Sequence, residues 1–175
     1  MRLQFIKATV RRFWLAFAGL LAFLMLAGPA PARAQGGEVI LSLKLPDGKT
    51  IGFTDEALRA LEWVTITTSS RWTEGVKRFE GPSLKSILLA SGLPESDLRQ
   101  RQLLLSALND FHIGVEASDA WSYDPILART VDGEAMRVRD KGPLWLVYPR
   151  DGYPELQNSL ADERWIWQLS EIAIK

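Results

Sequence analysis

The positions of the apolar side chains predict many short strands. Val39, Leu41, Leu43 and Leu45 alternate with other residues at the period of a strand, and the turn sequence PDGK separates them from a second strand over 50–53. Further strands are predicted wherever β-branched, alternating or continuous apolar residues recur: 63–68, 103–108, 111–115, 125–128, 144–148, 165–169 and 172–174. We expect 103–108 to be buried on both faces because it is apolar almost throughout.

The predicted helices are few and short. Thr54 is placed to cap one of them, with Asp55 and Glu56 at its positive N-terminal end. The sequence GPS at 81–83 begins a second helix, which ends at Gly92. Among the remaining segments, 118–123 is predicted as a helical turn, 132–133 (DG) as a hairpin turn, and the polar stretches 69–78, 94–101 and 149–164 as loops. Short strands with a few helices that do not alternate regularly are typical of a single α+β domain.

The N-terminal residues have the three parts of a signal peptide. Residues 1–12 are basic, 13–27 are apolar, and a Gly-Pro break leads to the small residues Ala32 and Ala34. We therefore predict a signal peptide over 1–34, cleavage before Gln35 and a periplasmic domain over 35–175. One alternative is an uncleaved membrane anchor, although the apolar run is short against the ~20 residues that a span needs. The export route is general secretory or, through Arg11 and Arg12, twin-arginine.

The charge balance argues against a nucleic-acid partner. Residues 1–34 hold five of the 21 basic residues and none of the 21 acidic ones, so the remaining chain has 16 basic residues against 21 acidic ones. A domain that neutralises phosphates needs a basic face, and no basic stripe is present in the sequence. The same balance argues against an anionic membrane surface, which leaves the leader as the one predicted membrane contact.

Cysteine and histidine usage limits the chemistry further. The chain has no cysteine and a single histidine, His112. A thiol nucleophile, a redox-active pair, a thiolate-bound metal and a multi-histidine zinc or copper site are therefore excluded.

Several blocks of the sequence resemble one protein family. These blocks are 72–75 (WTEG), 79–88 (FEGPSLKSIL), 109–111 (NDF), 124–128 (DPILA), 132–134 (DGE), 139–149 (RDKGPLWLVYP) and the ending 165–174. In this order they resemble the molybdopterin-binding domain of sulfite-oxidase-type enzymes, and above all its short, exported, free-standing members. The resemblance covers nearly all of the chain after the leader. It implies a sulfite-oxidase-type α+β fold and oxygen-atom transfer at a molybdenum held by a pyranopterin dithiolene and one cysteine thiolate.

The sequence departs from that family at the metal ligand. The family's cysteine lies after the strand that corresponds to 63–68, where this chain has Ser69 and Ser70. A serine hydroxyl is a poor ligand because it must lose its proton on coordination. The sequence therefore favours no cofactor, and the alternative is a molybdenum cofactor held through Ser69, Ser70 or the dithiolene alone.

The resemblance also implies residues around a pterin and its phosphate. Arg71, Arg139, Lys141 and Arg150 lie in or next to the corresponding loops, and a guanidinium group donates paired hydrogen bonds to an oxyanion. The alternative is that these cations are solvated and paired with Glu74, Asp140 or Asp151.

Aromatic and turn residues complete the predicted pocket. Trp72 and Trp145 are candidates to stack on a flat heterocycle, although core packing is the commoner use of tryptophan. Asn109 and Asp110 are candidates to orient a ligand, although closing a turn is their commoner role.

Two hypotheses follow. The first is an exported accessory or sensor module without molybdenum catalysis, which binds a small anionic or heterocyclic ligand or a periplasmic or membrane protein partner. The second is a divergent periplasmic molybdopterin-dependent oxidoreductase. The missing cysteine favours the first hypothesis, and the family signature over 139–149 favours the second.

Overall fold

A computed structural model of the protein describes residues 37–175. The predicted signal peptide over 1–34 and its cleavage site lie outside the described residues. Within 37–175, no helix is both long enough and apolar enough to cross a membrane.

The described residues form eleven strands and five short α-helices. The strands are β1 (Leu41–Lys44), β2 (Thr50–Phe53), β3 (Trp63–Ser69), β4 (Val76–Pro82), β5 (Gln102–Ala107), β6 (His112–Glu116), β7 (Ile126–Ala128), β8 (Thr130–Val131), β9 (Glu134–Ala135), β10 (Trp145–Val147) and β11 (Leu169–Ile174). The helices are α1 (Asp55–Arg59), α2 (Leu84–Leu89), α3 (Glu95–Leu98), α4 (Asp119–Ser122) and α5 (Ser159–Asp162), and 3₁₀ turns cover Val138–Asp140, Arg150–Gly152 and Pro154–Leu156.

The strands form three sheets. A five-stranded sheet has the order β2-β1-β11-β5-β6, in which β1 and β11 are parallel and the other neighbours are antiparallel. A four-stranded sheet has the order β3-β4-β8-β9, and β7 pairs with β10. Parallel pairing of β1 with β11 joins the first and the last strand of the described residues.

One apolar core lies under all three sheets. Leu43 and Leu105 from the large sheet, Phe79 from β4 and Trp145 from β10 are all buried in it. Gly81 lies where β4 crosses β7, and a Cβ atom there would overlap the carbonyl oxygen of Leu127. The predicted α+β class is confirmed.

Local signals predicted the caps and turns correctly. Thr54 Oγ1 accepts a hydrogen bond from the backbone N–H of Ala57 at 3.2 Å, so it caps α1. Asp132 and Gly133 have φ values of 50° and 84° and join β8 to β9. A two-residue hairpin needs positive φ at both positions, which this dipeptide tolerates.

Three predicted segments differ from the structure. The loop predicted over 69–78 is shorter than expected, because β4 begins at Val76. The first residues of β4 are largely exposed and are held by backbone hydrogen bonds to β3. The strand predicted over 165–169 begins only at Leu169, since Gln168 has a φ of 54° and interrupts the extended chain. β5 is buried on one face only, because Leu104 points to solvent while its neighbours are buried.

The predicted loop 94–101 also contains structure. Helix α3 lies in it, and Leu98 of that helix is fully buried. A single apolar residue among charged ones gave no periodic signal, so the sequence pattern alone did not indicate this helix.

Candidate functional site

The end of β3 is fastened to the turn that follows β10. The backbone N–H of Ser69 donates to Asp151 Oδ2 at 2.7 Å, and the Ser69 hydroxyl donates to Asp151 Oδ1 at 2.5 Å. In return, the backbone N–H of Asp151 donates to Thr68 Oγ1 at 3.1 Å. The hydrogen bond from the Ser69 hydroxyl lowers the pKa of Asp151, so this carboxyl is ionised at neutral pH. Ser69 therefore lies in a closed hydrogen-bonded pair.

A second carboxylate holds two arginines beside this pair. Arg150 Nε donates to Asp162 Oδ1 at 3.0 Å, and Arg71 Nε lies 3.7 Å from Asp162 Oδ2. The Asp162 side chain is only 3% exposed, so its charge requires these partners. Arg150 Nη1 also donates to Ser69 Oγ at 3.5 Å. Three of the predicted pocket residues thus come together, but around carboxylates of the protein itself.

The short loop from 70 to 75 is organised by Ser70. Its hydroxyl oxygen accepts from the backbone N–H of Trp72 at 3.2 Å and lies 2.7 Å from the Thr73 hydroxyl oxygen. This turn directs the Trp72 ring towards three other indoles, with ring centroids 6.3 Å from Trp145, 5.9 Å from Trp165 and 5.6 Å from Trp167. Ser70 therefore positions an aromatic residue in this structure.

Trp72 lies at the wall of a concave surface of about 450 Å³ that we call the aromatic groove. Its lining residues are Trp72, Asn109, Phe111, Ile113, Glu163, Trp165, Ile166 and Trp167. Trp165 and Ile166 are buried, while Trp72 and Trp167 are half-buried and Phe111 is exposed. The groove is therefore mainly apolar and aromatic, and Glu163 is its only charged lining residue.

Asn109 and Asp110 close the turn between β5 and β6. Asp110 has a φ of 64°, and Asn109 Oδ1 accepts from the backbone N–H of Phe111 at 3.3 Å. This is the turn role that the sequence favoured. Asn109 also lines the aromatic groove, whereas Asp110 is exposed and does not.

Arg139 and Lys141 lie on a separate loop. The Arg139 side chain is 71% exposed, and its Nε lies 3.8 Å from Asp140 Oδ2. Lys141 places its Nζ 5.4 Å from the ring centroid of Trp145, which is itself buried in the core. No hydrogen bond or ion pair among residues 37–175 joins either cation to Ser69 or Asp151. The predicted pocket residues are thus divided among the Ser69–Asp151 region, the aromatic groove and the loop that carries Arg139 and Lys141.

Sequence reasoning did not single out the residues that organise this region. Asp162 follows three residues of helix α5 and has no motif around it, and its burial depends on Arg71 and Arg150 from distant segments. A second buried carboxylate, Asp119, accepts from the Tyr148 hydroxyl at 2.9 Å and from Arg164 Nη1 at 3.0 Å. Burial, followed by the neighbouring Asp119 charge, raises the pKa of Tyr148 well above its ordinary value.

The donor groups do not fit a molybdenum held by a protein side chain. The chain contains no cysteine, and the Ser69 hydroxyl is already bound to an ionised carboxylate. Among the described residues, no group of three or more histidine, aspartate or glutamate side chains is arranged to hold a metal ion. A hydroxyl that hydrogen-bonds to a carboxylate resists the deprotonation that coordination requires.

The three sheets and the short helices form an α+β domain. Among solved structures, the sulfane dehydrogenase SoxCD from Paracoccus pantotrophus is similar, with a TM-score of 0.59 and 19% sequence identity. The match covers 77% of this chain and 37% of that chain, so this chain spans well under half of the neighbour's length. At this identity the likeness shows the fold alone. No protein-family model matches the sequence, and no curated protein matches it.

Proposed function

We propose that this protein is an exported accessory or sensor module that binds a small ligand and does not catalyse molybdenum chemistry. The observation that carries the proposal is the Ser69–Asp151 pair, which engages one of the two serine hydroxyls, Ser69 and Ser70, at the position where the resemblance places a metal ligand.

The energetics of this pair support the loss of metal ligation. Releasing the Ser69 hydroxyl breaks its hydrogen bond to the Asp151 carboxylate, and such a bond contributes about 1.5–3 kcal/mol. The released hydroxyl would then have to ionise beside the negative charge of Asp151, which raises its pKa further. Both costs favour the closed pair over a serine–metal bond.

The aromatic groove is the concave surface that suits a ligand. Small-molecule sites are concave and mostly apolar, contain a few polar groups, and have volumes of roughly 300–1,000 Å³. The groove has about 450 Å³ and is lined by Trp72, Trp165 and Trp167. Indole rings bind flat heterocycles by stacking, so a flat heterocycle is the ligand class that we propose.

Metal analysis tests the loss of catalysis. The protein is purified after export from its native host, and molybdenum is measured by mass spectrometry together with the mass of the mature chain. We expect a chain that begins at Gln35 and carries far less than one molybdenum per protein. Stoichiometric molybdenum with turnover of a substrate would establish the oxidoreductase alternative instead.

Ligand binding is tested on the same preparation. Flat heterocycles are titrated against protein with ¹⁵N-labelled indoles, and we expect shifts for Trp72 and Trp167. Trp63 is the internal control, because its Nε1 donates to the Leu58 carbonyl at 3.0 Å and it does not line the groove. Trp72→Leu should abolish the shifts at Trp167. Shifts spread equally over Trp63 would show nonspecific association and contradict the proposal.

A further inference from the structure

The charged residue in the lining of the aromatic groove is acidic. Glu163 is exposed and lines the groove, and no ion pair within residues 37–175 involves it. The nearest cation along the chain from Trp72, Arg71, lies against Asp162, the residue before Glu163. Arg71 thus lies against a carboxylate outside the groove lining, and Glu163 is the charged residue among the described residues that line the groove.

The other predicted cations lie outside the groove lining. Arg150 lies against two carboxylates, Asp162 at 3.0 Å and Asp151 at 3.9 Å, and Arg139 lies 3.8 Å from Asp140. Lys141 lies over the ring of Trp145, which does not line the groove. None of the cations that the resemblance assigns to an anionic group is among the described residues that line the groove.

The aromatic side chains of the groove favour a cationic ligand, as the Glu163 carboxylate does. An indole ring has a negative face, so it attracts a cation placed over it and repels an anion. Trp72 and Trp167 are half-buried, with one part of each ring packed against neighbouring aromatics and the rest available to the groove. A carboxylate at the rim of such a surface favours cations on approach as well as when bound.

We propose that the ligand of the aromatic groove is a flat heterocyclic cation, stacked on Trp72 or Trp167 with its positive charge near Glu163. This inference rests on the proposed function, because it takes the groove to be the ligand site. It replaces the anionic ligand that the arginine-rich loops suggested with a ligand of opposite charge.

Three probes that share a pyridine ring and differ in net charge test the inference. The N-methylpyridinium form of nicotinamide is a cation, nicotinamide is neutral, and nicotinate is an anion. Each is titrated into the mature protein by calorimetry and by ¹⁵N NMR of the indoles. We expect the cation to bind on the order of fivefold more tightly than nicotinamide, since cation–π and carboxylate contacts each contribute at this scale. Nicotinate should bind most weakly.

Matched variants locate the effect. Glu163→Gln should reduce the affinity for the cation towards that for nicotinamide and leave nicotinamide binding unchanged. Glu155→Gln is the control, because Glu155 is also exposed, lies outside the groove lining, and changes the net charge equally. Added salt should weaken binding of the cation and not of nicotinamide, which checks the charge effect without any substitution.

The possible failures are distinguishable. Equal or tighter binding of nicotinamide or nicotinate at the groove indoles would overturn the cation inference and leave the groove as the ligand site. Absence of any shift at Trp72 and Trp167 with all three probes at about 10 mM, a concentration that detects even weak fragments, would overturn the ligand-site proposal as well. An equal loss of cation affinity in Glu155→Gln would assign the effect to net charge and refute the role of Glu163.

Discussion

The buried carboxylate of Asp162 provides the most direct test of how the candidate site is held together. Replacing it by Asn keeps the size of the side chain and one acceptor oxygen but removes the charge. Arg150, whose side chain is 21% exposed, then loses its best partner. Its remaining acceptors are Ser69 Oγ at 3.5 Å and Asp151 Oδ1 at 3.9 Å, and both are long.

The size of the effect follows from these contacts. A hydrogen bond that involves a charged group contributes about 1.5–3 kcal/mol, and the bond from the Arg150 guanidinium to the neutral oxygen of Asn lies at the low end of that range. Leaving the partly buried Arg150 without its carboxylate adds a desolvation cost, which solvent contact reduces below the ~3–5 kcal/mol of a fully buried broken pair. We therefore expect Asp162→Asn to lower the free energy of unfolding by about 2 kcal/mol, or roughly 5–10 °C in Tm.

Urea unfolding followed by tryptophan fluorescence measures this loss. Asp140→Asn is the matched control, because Asp140 pairs with Arg137 at 2.7 Å where the two side chains are 45% and 66% exposed. An exposed pair contributes about 0–1 kcal/mol, so the control should lie near the parent. If the two variants lose the same stability, the ion pairs around Asp162 do not hold the loops together and our account of the site is wrong.

Three further predictions test the hydroxyl pair, a buried hydrogen bond and a close backbone approach. Ser69→Ala should raise the pKa of Asp151 from below about 3.9 towards that ordinary value, as measured by carboxyl ¹³C NMR. The wild-type pair therefore adds stability above this pH that is lost as the pH falls through the lowered pKa, and an unchanged titration would refute this role of Ser69. Tyr148→Phe should cost about 1.5–3 kcal/mol in urea unfolding because its hydroxyl donates to a buried carboxylate, and a loss near zero would contradict that bond. Gly81→Ala should cost about 3 kcal/mol or more, since the new Cβ meets backbone, whereas Gly152→Ala faces open space and should change Tm little; similar melting temperatures would refute the close approach.

Much of the fold was predictable because its signals are local. Thr54 and Ser83 cap α1 and α2 through hydrogen bonds to residues three positions later, and such pairs are visible in the sequence. The first two strands and the turn between them follow from alternation and a PDGK sequence. The first half of β4 was not predictable, because Val76 is exposed and is held by pairing with Ser69 and not by its own burial.

The candidate site was predictable only in part, since its contacts join distant segments. Asp151 reaches Ser69 across 82 positions, and Arg150 reaches the same hydroxyl across 81. A local pattern shows where basic residues lie but not which carboxylates will lie against them. The sequence left open whether the arginines bind an anion or pair with Glu74, Asp140 or Asp151, and it did not indicate Asp162, which the fold places beside Arg71 and Arg150.

This placement decides the chemistry that remains open to the domain. The carboxylate of Asp162 is buried and lies against Arg150, which is 21% exposed, and against Arg71, which is 57% exposed, so this carboxylate holds two cations of the protein itself. The next residue along the chain, Glu163, is exposed at the groove, so a single step in sequence separates a charge used for folding from one available for binding. The cation preference that we propose therefore rests on where carboxylates lie in the folded chain and not on the number of basic residues in the sequence.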